Sequence, residues 1–378
     1  MMSKTIIFPT ASIKDNGNTL YEGIHELLNK LNADGDKIII MSHDHSKVTN
    51  IKKEFDFVEL RYRWEVRDKM KGDDTGNFIL VGSNQDDLRI AASTKSALLV
   101  PEWSDTQEVD PKYGLRVPTP KALIKVLEII KNQKSWFYEL DIDENAKVYS
   151  LTSANSYGGV RPSEREIVEG FRATLKEGAK KYFKVIQLHF LASLIHNPVF
   201  KDVDIWSVMP SSSADFNEDI WALKEKARLL MGKKLTEPLF LRHKNIQKSH
   251  HIRIQKDRLH CDRHLSSINI NPSYNKKLKG KVVCILDDYL TNGTSFETLR
   301  NLLINAGVKR VIFVSLGRFK RATGIEYLKQ DYKLSGDIFS PNYSFELENK
   351  ADIWGTYNER AREEIESLYD ILYLRNRI

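Results

Sequence analysis

One segment, residues 281–316, narrows the choice of fold more than any other. Val282, Val283, Cys284, Ile285 and Leu286 form an unbroken apolar run with no polar alternation. Such a run reads as a strand buried on both faces, the situation of a parallel sheet covered by helices. A short loop with Gly293 follows, then a helical pattern over 295–306 closed by Gly307, then a second apolar run over 308–316. Strand, helix and strand in this order make a βαβ crossover, which commits the chain to an α/β fold.

The amino-terminal third repeats the logic. Short apolar runs at 5–8, 37–41, 78–81 and 97–100 are separated by amphipathic stretches such as 20–31, which predicts a second parallel sheet. From 101 to 162 the chain carries five of its eleven prolines and several turn signals around one helical stretch, 121–131, and reads as a connector. Helices are expected at 163–178, with a capping box from Ser163 to Glu166, and at 181–197, with Phe183, Ile186, Phe190, Leu191 and Leu194 on one apolar face. A strand at 203–209, a helix at 218–231 and a terminal amphipathic helix at 358–373 complete the pattern. The expected fold class is α/β with two domains, each a mostly parallel sheet with flanking helices: 1–105, a connector 106–160, 161–330, and a carboxyl-terminal extension 331–378.

Composition agrees with that division. At roughly 150 residues per domain, 378 residues make two. No apolar run approaches the roughly 20 residues that span a bilayer, so no membrane is expected as a partner. Two cysteines, one inside the apolar run, and an amino terminus without a cleavage signal predict a cytoplasmic protein in a reducing compartment. The net charge of +7 is concentrated: between 242 and 264, Arg242, Lys244, Lys248, Arg253, Lys256, Arg258 and Arg263 stand against Asp257 and Asp262, a local excess of +5. That is an anion site, suited to a pyrophosphate or a nucleic-acid backbone. His260, Cys261 and His264 have a loosely zinc-like spacing, but a structural zinc needs about four ligands and the neighbouring cations oppose it.

Asp287 and Asp288 follow the buried run directly, and Tyr289, Leu290, Thr291, Asn292, Gly293, Thr294 and Ser295 lead on into the helix. Open α/β sheets bind ligands beyond the carboxyl ends of their strands. The loop offers backbone N–H groups, three hydroxyls and the positive end of a helix dipole to a phosphate. Carboxylates repel a phosphate but accept hydrogen bonds from vicinal sugar hydroxyls. The combination fits a sugar phosphate.

This segment resembles the phosphoribosyl-pyrophosphate (PRPP) motif of type I phosphoribosyltransferases, an apolar strand, two acidic residues, two variable residues and a Thr-x-Gly-Thr loop. The wider order, in which a strand with a Pro-Ser loop, a basic segment, the acidic pair and a closing βα unit succeed one another over about 160–320, resembles the competence-protein-F-like branch. The resemblance implies that Asp287 and Asp288 are the catalytic pair that holds the ribose 2- and 3-hydroxyls. It places the 5-phosphate on Thr291, Asn292, Gly293, Thr294 and Ser295. It puts Ser211, Ser212 and Ser213 in the pyrophosphate loop, and Arg242, Lys244, Lys248 and Arg258 in a mobile flap. The implied cofactor is Mg²⁺, held through PRPP near the acidic pair. The Ser loop lacks the Lys or Arg often found there, so the flap has to supply the positive charge.

Residues 1–105 resemble a degenerate haloacid-dehalogenase-like domain. Working members carry an Asp nucleophile after the first strand and a second Asp two residues later; here Pro9 and Ala11 stand there, and Ser83 takes an acidic position ahead of Asp86 and Asp87. Without the nucleophile no phosphoaspartate forms.

The function expected is a Mg²⁺-dependent phosphoribosyltransferase that moves ribose 5-phosphate from PRPP to a small-molecule acceptor the sequence does not identify. Two alternatives stand beside it. One is a non-catalytic PRPP or nucleotide sensor. The other, suggested by the family pairing, is a nucleic-acid-associated component of a bacterial stress or defence system; 242–264 holds no Phe, Tyr or Trp for base stacking, which counts against it. Homo-oligomerisation is left open.

Overall fold

In the computed structural model, which describes residues 3–73, 76–212, 217–246, 259–321 and 324–374, the chain forms two α/β units. The first sheet holds β1 (Thr5–Pro9), β2 (Lys37–Ser42), β3 (Glu59–Tyr62), β4 (Phe78–Val81), β5 (Ala97–Pro101) and β6 (Leu115–Val117). All are parallel, in the order β3-β2-β1-β4-β5-β6, so the order reverses between β1 and β4. The second sheet contains β7 (Tyr138–Asp143), β8 (Ala146–Ser153), β9 (Ile205–Val208), β12 (Val282–Leu290), β13 (Arg310–Arg318) and β16 (Thr356–Tyr357), in the order β16-β7-β8-β13-β12-β9. Its four central and edge strands β8, β13, β12 and β9 are parallel; β7 and β16 are antiparallel additions. Two antiparallel pairs stand outside it, β10 (Phe240–Arg242) with β11 (Ile268–Ile270), and β14 (Tyr327–Gly336) with β15 (Tyr343–Ile353).

The stretch read as a connector, 106–160, is not one. It supplies β6 to the first sheet, the helix Pro120–Asn132, and the hairpin β7–β8 to the second. Two of its prolines mark element ends: Pro118 follows β6, and Pro120 is the first residue of its helix, capped by the Thr119 side chain. The helix expected from Ser163 starts one residue earlier, with Pro162 in its first turn, Arg161 as N-cap and no side-chain cap, so the expected capping box does not form. Gly178 ends it in the left-handed conformation.

The helix Phe183–Ile195 departs from the one-faced pattern: every residue from Ile186 to Ile195 is buried. A helix apolar all round belongs in an interior, and this one lies between the two units. One continuous core runs from Phe8 and Ile40 of the first sheet, through Leu127 and Phe190, to Trp206 and Leu286 of the second. The units are therefore joined by shared packing rather than by a linker.

That interior holds His189, 1% exposed, stacked on Phe171 at 6.5 Å with no hydrogen-bond partner for either ring nitrogen. Burial pushes its pKa down to about 3, and that of His196 down to about 4. Both folded values lie below the unfolded one, so the unfolded chain binds the extra protons. Stability is complete above about pH 6.5 and falls as pH drops toward the folded values. At pH 5 the His189 share of the loss is roughly 2 kcal/mol. Urea midpoints at pH 7.5 and pH 5 are expected to differ less in His189→Phe than in the parent; an equal difference would contradict this placement.

Candidate active site at the carboxyl ends of β9, β12 and β13

Parallel pairing brings the site together. Leu286 on β12 lies opposite Val208 on β9, and the Met209 amide donates to the Leu286 carbonyl at 2.8 Å, so Pro210, Ser211 and Ser212 leave the sheet beside Asp287. On the other side Asp287 pairs with Ser315 and Tyr289 with Gly317 of β13. The acidic pair thus lies at the carboxyl-terminal end of the strand, as the sequence pattern suggests, and β12 runs on past it to Leu290.

Both carboxylates are half-buried. The Asp288 amide donates to Asp287 Oδ1 at 2.8 Å, and the Tyr289 amide donates to Asp288 Oδ1 at 2.6 Å. Burial, and then the charge of Asp288, hold the Asp287 carboxyl well above the usual carboxylate range. The Lys176 ammonium reaches from the end of the helix Pro162–Glu177 to Asp288 Oδ2. Among the described residues, two acids at one strand end share one ion-paired lysine, an arrangement that a hydroxyl-rich or cation-bearing ligand relieves.

The following loop is fixed from behind. Gly293 has φ +84° and is the N-cap of the helix Thr294–Asn305; a Cβ there would stand 2.3 Å from the Tyr327 ring. The Asn292 carbonyl accepts the Leu328 amide at 3.1 Å, and the Thr291 carbonyl accepts from the Arg318 guanidinium. Arg318 is 1% exposed, also donates to the Glu326 carbonyl at 2.8 Å, and lies 4.9 Å from the Tyr138 ring centroid. Its charge therefore sits under the loop, a feature that the sequence pattern did not single out because the residue simply ends an apolar strand. Thr291 and Ser295 remain half-buried, whereas Thr294 is buried and its hydroxyl donates to Asn292 Oδ1 at 3.1 Å. Thr294 thus shapes the loop.

Glu297, in the first helical turn, would oppose an anion if it faced the loop. Instead it is fully buried and bound by Arg300 at 2.7 Å, the Tyr327 hydroxyl at 2.9 Å and the Gln330 amide at 2.9 Å. These contacts neutralise it and fasten the helix to β14.

The Ser loop and the start of the basic segment are clamped together. Arg242 donates to the carbonyls of Ser211 and Pro210 and, at 2.6 Å, to Ser267 Oγ; the Ile246 amide donates to the Ser212 carbonyl at 3.0 Å. The guanidinium of Arg242 is thereby engaged in holding the loop's shape. Lys244 is exposed beside it. Ser213, Lys248 and Arg258 lie outside the described residues. The basic segment begins on β10 and ends in sequence ahead of β11, and these two short strands pair with each other.

On the open side stand Tyr289 and Phe319, 5.5 Å apart, with Lys176 over the first ring at 5.5 Å and Arg172 over the second at 5.8 Å. Gly317 permits that approach, since a Cβ there would meet the Tyr289 ring at 2.5 Å. Of the carboxyl-terminal aromatic residues, Phe339, Tyr343 and Phe345 pack on the core of the second unit, and the Tyr343 hydroxyl donates to the carbonyl of Ile268 at 2.6 Å.

In the first unit, Asp87 is fully buried, ion-paired with Arg63 at 2.7 Å, and accepts the Ser83 amide at 3.0 Å as the helix Gln85–Thr94 begins. Asp86 is on the surface with Arg89. Asp87 is engaged in capping and ion pairing.

Comparison with known proteins found no family model that matches the chain and no matching curated protein.

Proposed function

We propose that the chain binds PRPP with Mg²⁺ at the carboxyl edge of the second sheet and transfers ribose 5-phosphate from it to an acceptor, releasing pyrophosphate. The observation that carries this reading is the meeting, at three adjoining strand ends, of an acidic pair, a glycine loop opening onto a helix, and a Ser loop clamped to a basic segment. Asp287 and Asp288 accept hydrogen bonds from the ribose hydroxyls. Thr291, Ser295 and the loop amides receive the 5-phosphate, with Arg318 beneath them adding a buried positive charge. Ser211 and Ser212 face the pyrophosphate, and Lys244 is the described cation free to approach it.

The donor set suits Mg²⁺, which takes hard oxygen ligands and keeps water and substrate phosphate oxygens among them. Among the described residues no group of three or more metal-binding side chains occurs, so the two carboxylates supply at most part of a coordination shell. When bound, Mg²⁺ neutralises charge on the pyrophosphate. The chain's residues hold the sugar while the C1–O bond to pyrophosphate breaks, its electron pair leaving with pyrophosphate, and the acceptor's lone pair forms the new bond to C1. This is catalysis by positioning and by stabilising charge where it develops.

A second reading, a PRPP sensor without turnover, is favoured by one observation: Arg242 is bound to backbone carbonyls rather than left open to the ligand. Pyrophosphate release from PRPP and Mg²⁺, assayed with pooled nitrogen nucleophiles, separates the two. Release above the protein-free rate supports transfer; tight binding with no release supports the sensor.

Lys176 competes with any cation for Asp288. The pair is half-exposed, and such pairs contribute up to about 1 kcal/mol. Lys176→Met is therefore expected to raise the affinity for Mn²⁺, used as a spectroscopic probe, by up to about fivefold. Weaker Mn²⁺ binding in the variant would contradict the competition.

A further inference from the structure

The amino ends of β9, β12 and β13 form the edge of the second sheet opposite the acidic pair, and that edge is crowded with lysines. Residues 276–281 hold Lys276, Lys277, Lys279 and Lys281, four cations in six positions with no acid among them. Tyr274 and Leu278, each 1% exposed, pin this stretch to the core, and the Tyr274 hydroxyl donates to the Glu237 carbonyl at 2.7 Å. The lysines between and after them stay exposed. A second loop lies alongside: the Gly280 amide donates to the Gly307 carbonyl at 2.8 Å and the Lys309 amide to the Lys281 carbonyl at 2.9 Å, which adds the exposed Lys309.

Among the described residues none of these lysines has a carboxylate within ion-pair distance. The acids of this edge have other partners: Asp202 pairs with Arg310 at 3.3 Å, Asp204, close enough to feel Lys281, pairs with Lys233 at 3.5 Å, and Asp337 accepts the Phe339 amide at 3.0 Å. The carboxyl end of the helix Thr294–Asn305 lies here and its dipole favours cations, but it supplies only about half an elementary charge against five lysines. Local electrostatics therefore leaves most of the charge unaccounted for. Lys276 carries backbone strain as well: its φ is +63°, a left-handed conformation that glycine adopts at less cost. A lysine held in a strained turn beside three others points to a use for the cation itself.

We propose that this edge binds the phosphate backbone of a nucleic-acid duplex without reading its sequence. A lysine ammonium is a compact point charge that meets phosphate oxygens singly, whereas base reading favours the planar, bidentate arginine. A duplex presents one negative charge per roughly 1.7 Å of its axis, so cations spread over two adjoining loops meet several phosphates together. A single strand is the poorer partner, because its bases need aromatic platforms, and the aromatic residues here, Tyr274 and Phe339, pack on the core of the second unit. An anionic membrane needs apolar side chains to insert, and among the described residues this edge exposes only Ile304 as a large one. The acidic pair lies at the other end of β12, so a bound duplex leaves the candidate active site open. None of this depends on the PRPP reading.

The test is fluorescence anisotropy of the full chain with a labelled DNA duplex of arbitrary sequence, an RNA duplex of the same sequence and the separate strands, from about 50 to about 200 mM salt. Binding to a duplex is expected, the tighter of the two naming the source of the backbone, and for DNA the logarithm of affinity should fall against that of salt with a slope of about −4 to −5, as five phosphate contacts require. Combining Lys276→Gln, Lys277→Gln, Lys279→Gln and Lys281→Gln should bring the slope toward about −1 and weaken binding at least about tenfold at the lowest salt. These residues are exposed, so the thermal midpoint should not move. The basic segment is tested separately by Lys244→Gln with Lys248→Gln and Arg258→Gln, which should keep the parent's duplex affinity. No duplex binding at the lowest salt, a slope that the fourfold variant leaves unchanged, or loss of duplex binding only in the basic-segment variant would overturn the proposal. Single strands bound more tightly than duplexes, or phosphatidylglycerol vesicles bound in preference to them, would overturn it as well.

Discussion

Replacing Asp287 and Asp288 together by Asn is expected to reduce PRPP affinity by at least about a hundredfold. Each carboxylate is proposed to accept a hydrogen bond from a ribose hydroxyl, and hydrogen bonds to charged groups contribute about 1.5 to 3 kcal/mol each. Two of them set the scale of the loss. An amide keeps one acceptor oxygen but loses the charge and adds a donor that competes with the hydroxyl. The same substitution should not lower the thermal midpoint. Asp287 is held above its ordinary pKa by burial and by Asp288, so its charge costs stability near neutral pH, and the cost disappears in the amide. Full PRPP affinity in the folded double variant, measured by calorimetry, would refute the assignment. A drop in the midpoint would show that the pair serves folding instead.

Gly293→Ala should be the most damaging single substitution at the site. The left-handed backbone, φ +84°, disfavours any Cβ by about 1 to 2 kcal/mol. The added carbon would also stand 2.3 Å from the ring of Tyr327. That ring cannot step aside readily, since Tyr327 is fully buried and its hydroxyl is bound to Glu297 at 2.9 Å. Overpacking of this kind adds roughly 1 to 3 kcal/mol. A total loss of about 2 to 5 kcal/mol is expected in urea unfolding, together with loss of 5-phosphate binding, because the loop must shift. A second substitution, Tyr327→Ala, isolates the two causes: in a double-mutant cycle it should remove the clash and leave the backbone strain. An additive cycle would show that ring and glycine do not interact.

The residues of the site were more legible in the sequence than its supports. A buried strand, two acids and a glycine loop are local in the chain, and the periodicity and turn chemistry that reveal them are local too. What stayed hidden depends on residues far apart. Lys176 meets Asp288 across 112 positions, and Arg318 reaches the Thr291 carbonyl only because β13 lies beside β12. The role of Arg242 is hidden for a similar reason: a basic residue in a basic segment is expected to be open to an anion, but the Ser loop's carbonyls claim it. The hairpin strands carry a local signal of their own. Alternation of buried and exposed residues in Tyr138–Asp143, with a tight turn at Glu144 and Asn145, is a strand signal that the surrounding prolines obscured. The same alternation runs through the first half of Tyr343–Ile353. The all-round burial from Ile186 to Ile195 could not be foreseen from an amphipathic pattern, since it follows from two sheets sharing one core.

Calorimetric titration of the full chain with PRPP in the presence of Mg²⁺, set beside titrations with ribose 5-phosphate and with pyrophosphate alone, tests the central claim most directly. One PRPP per chain is predicted, bound more tightly than either fragment and weakened by removal of Mg²⁺, because the three parts of the site each meet a different part of the ligand. Absence of PRPP binding, or PRPP binding no tighter than that of pyrophosphate, would contradict it.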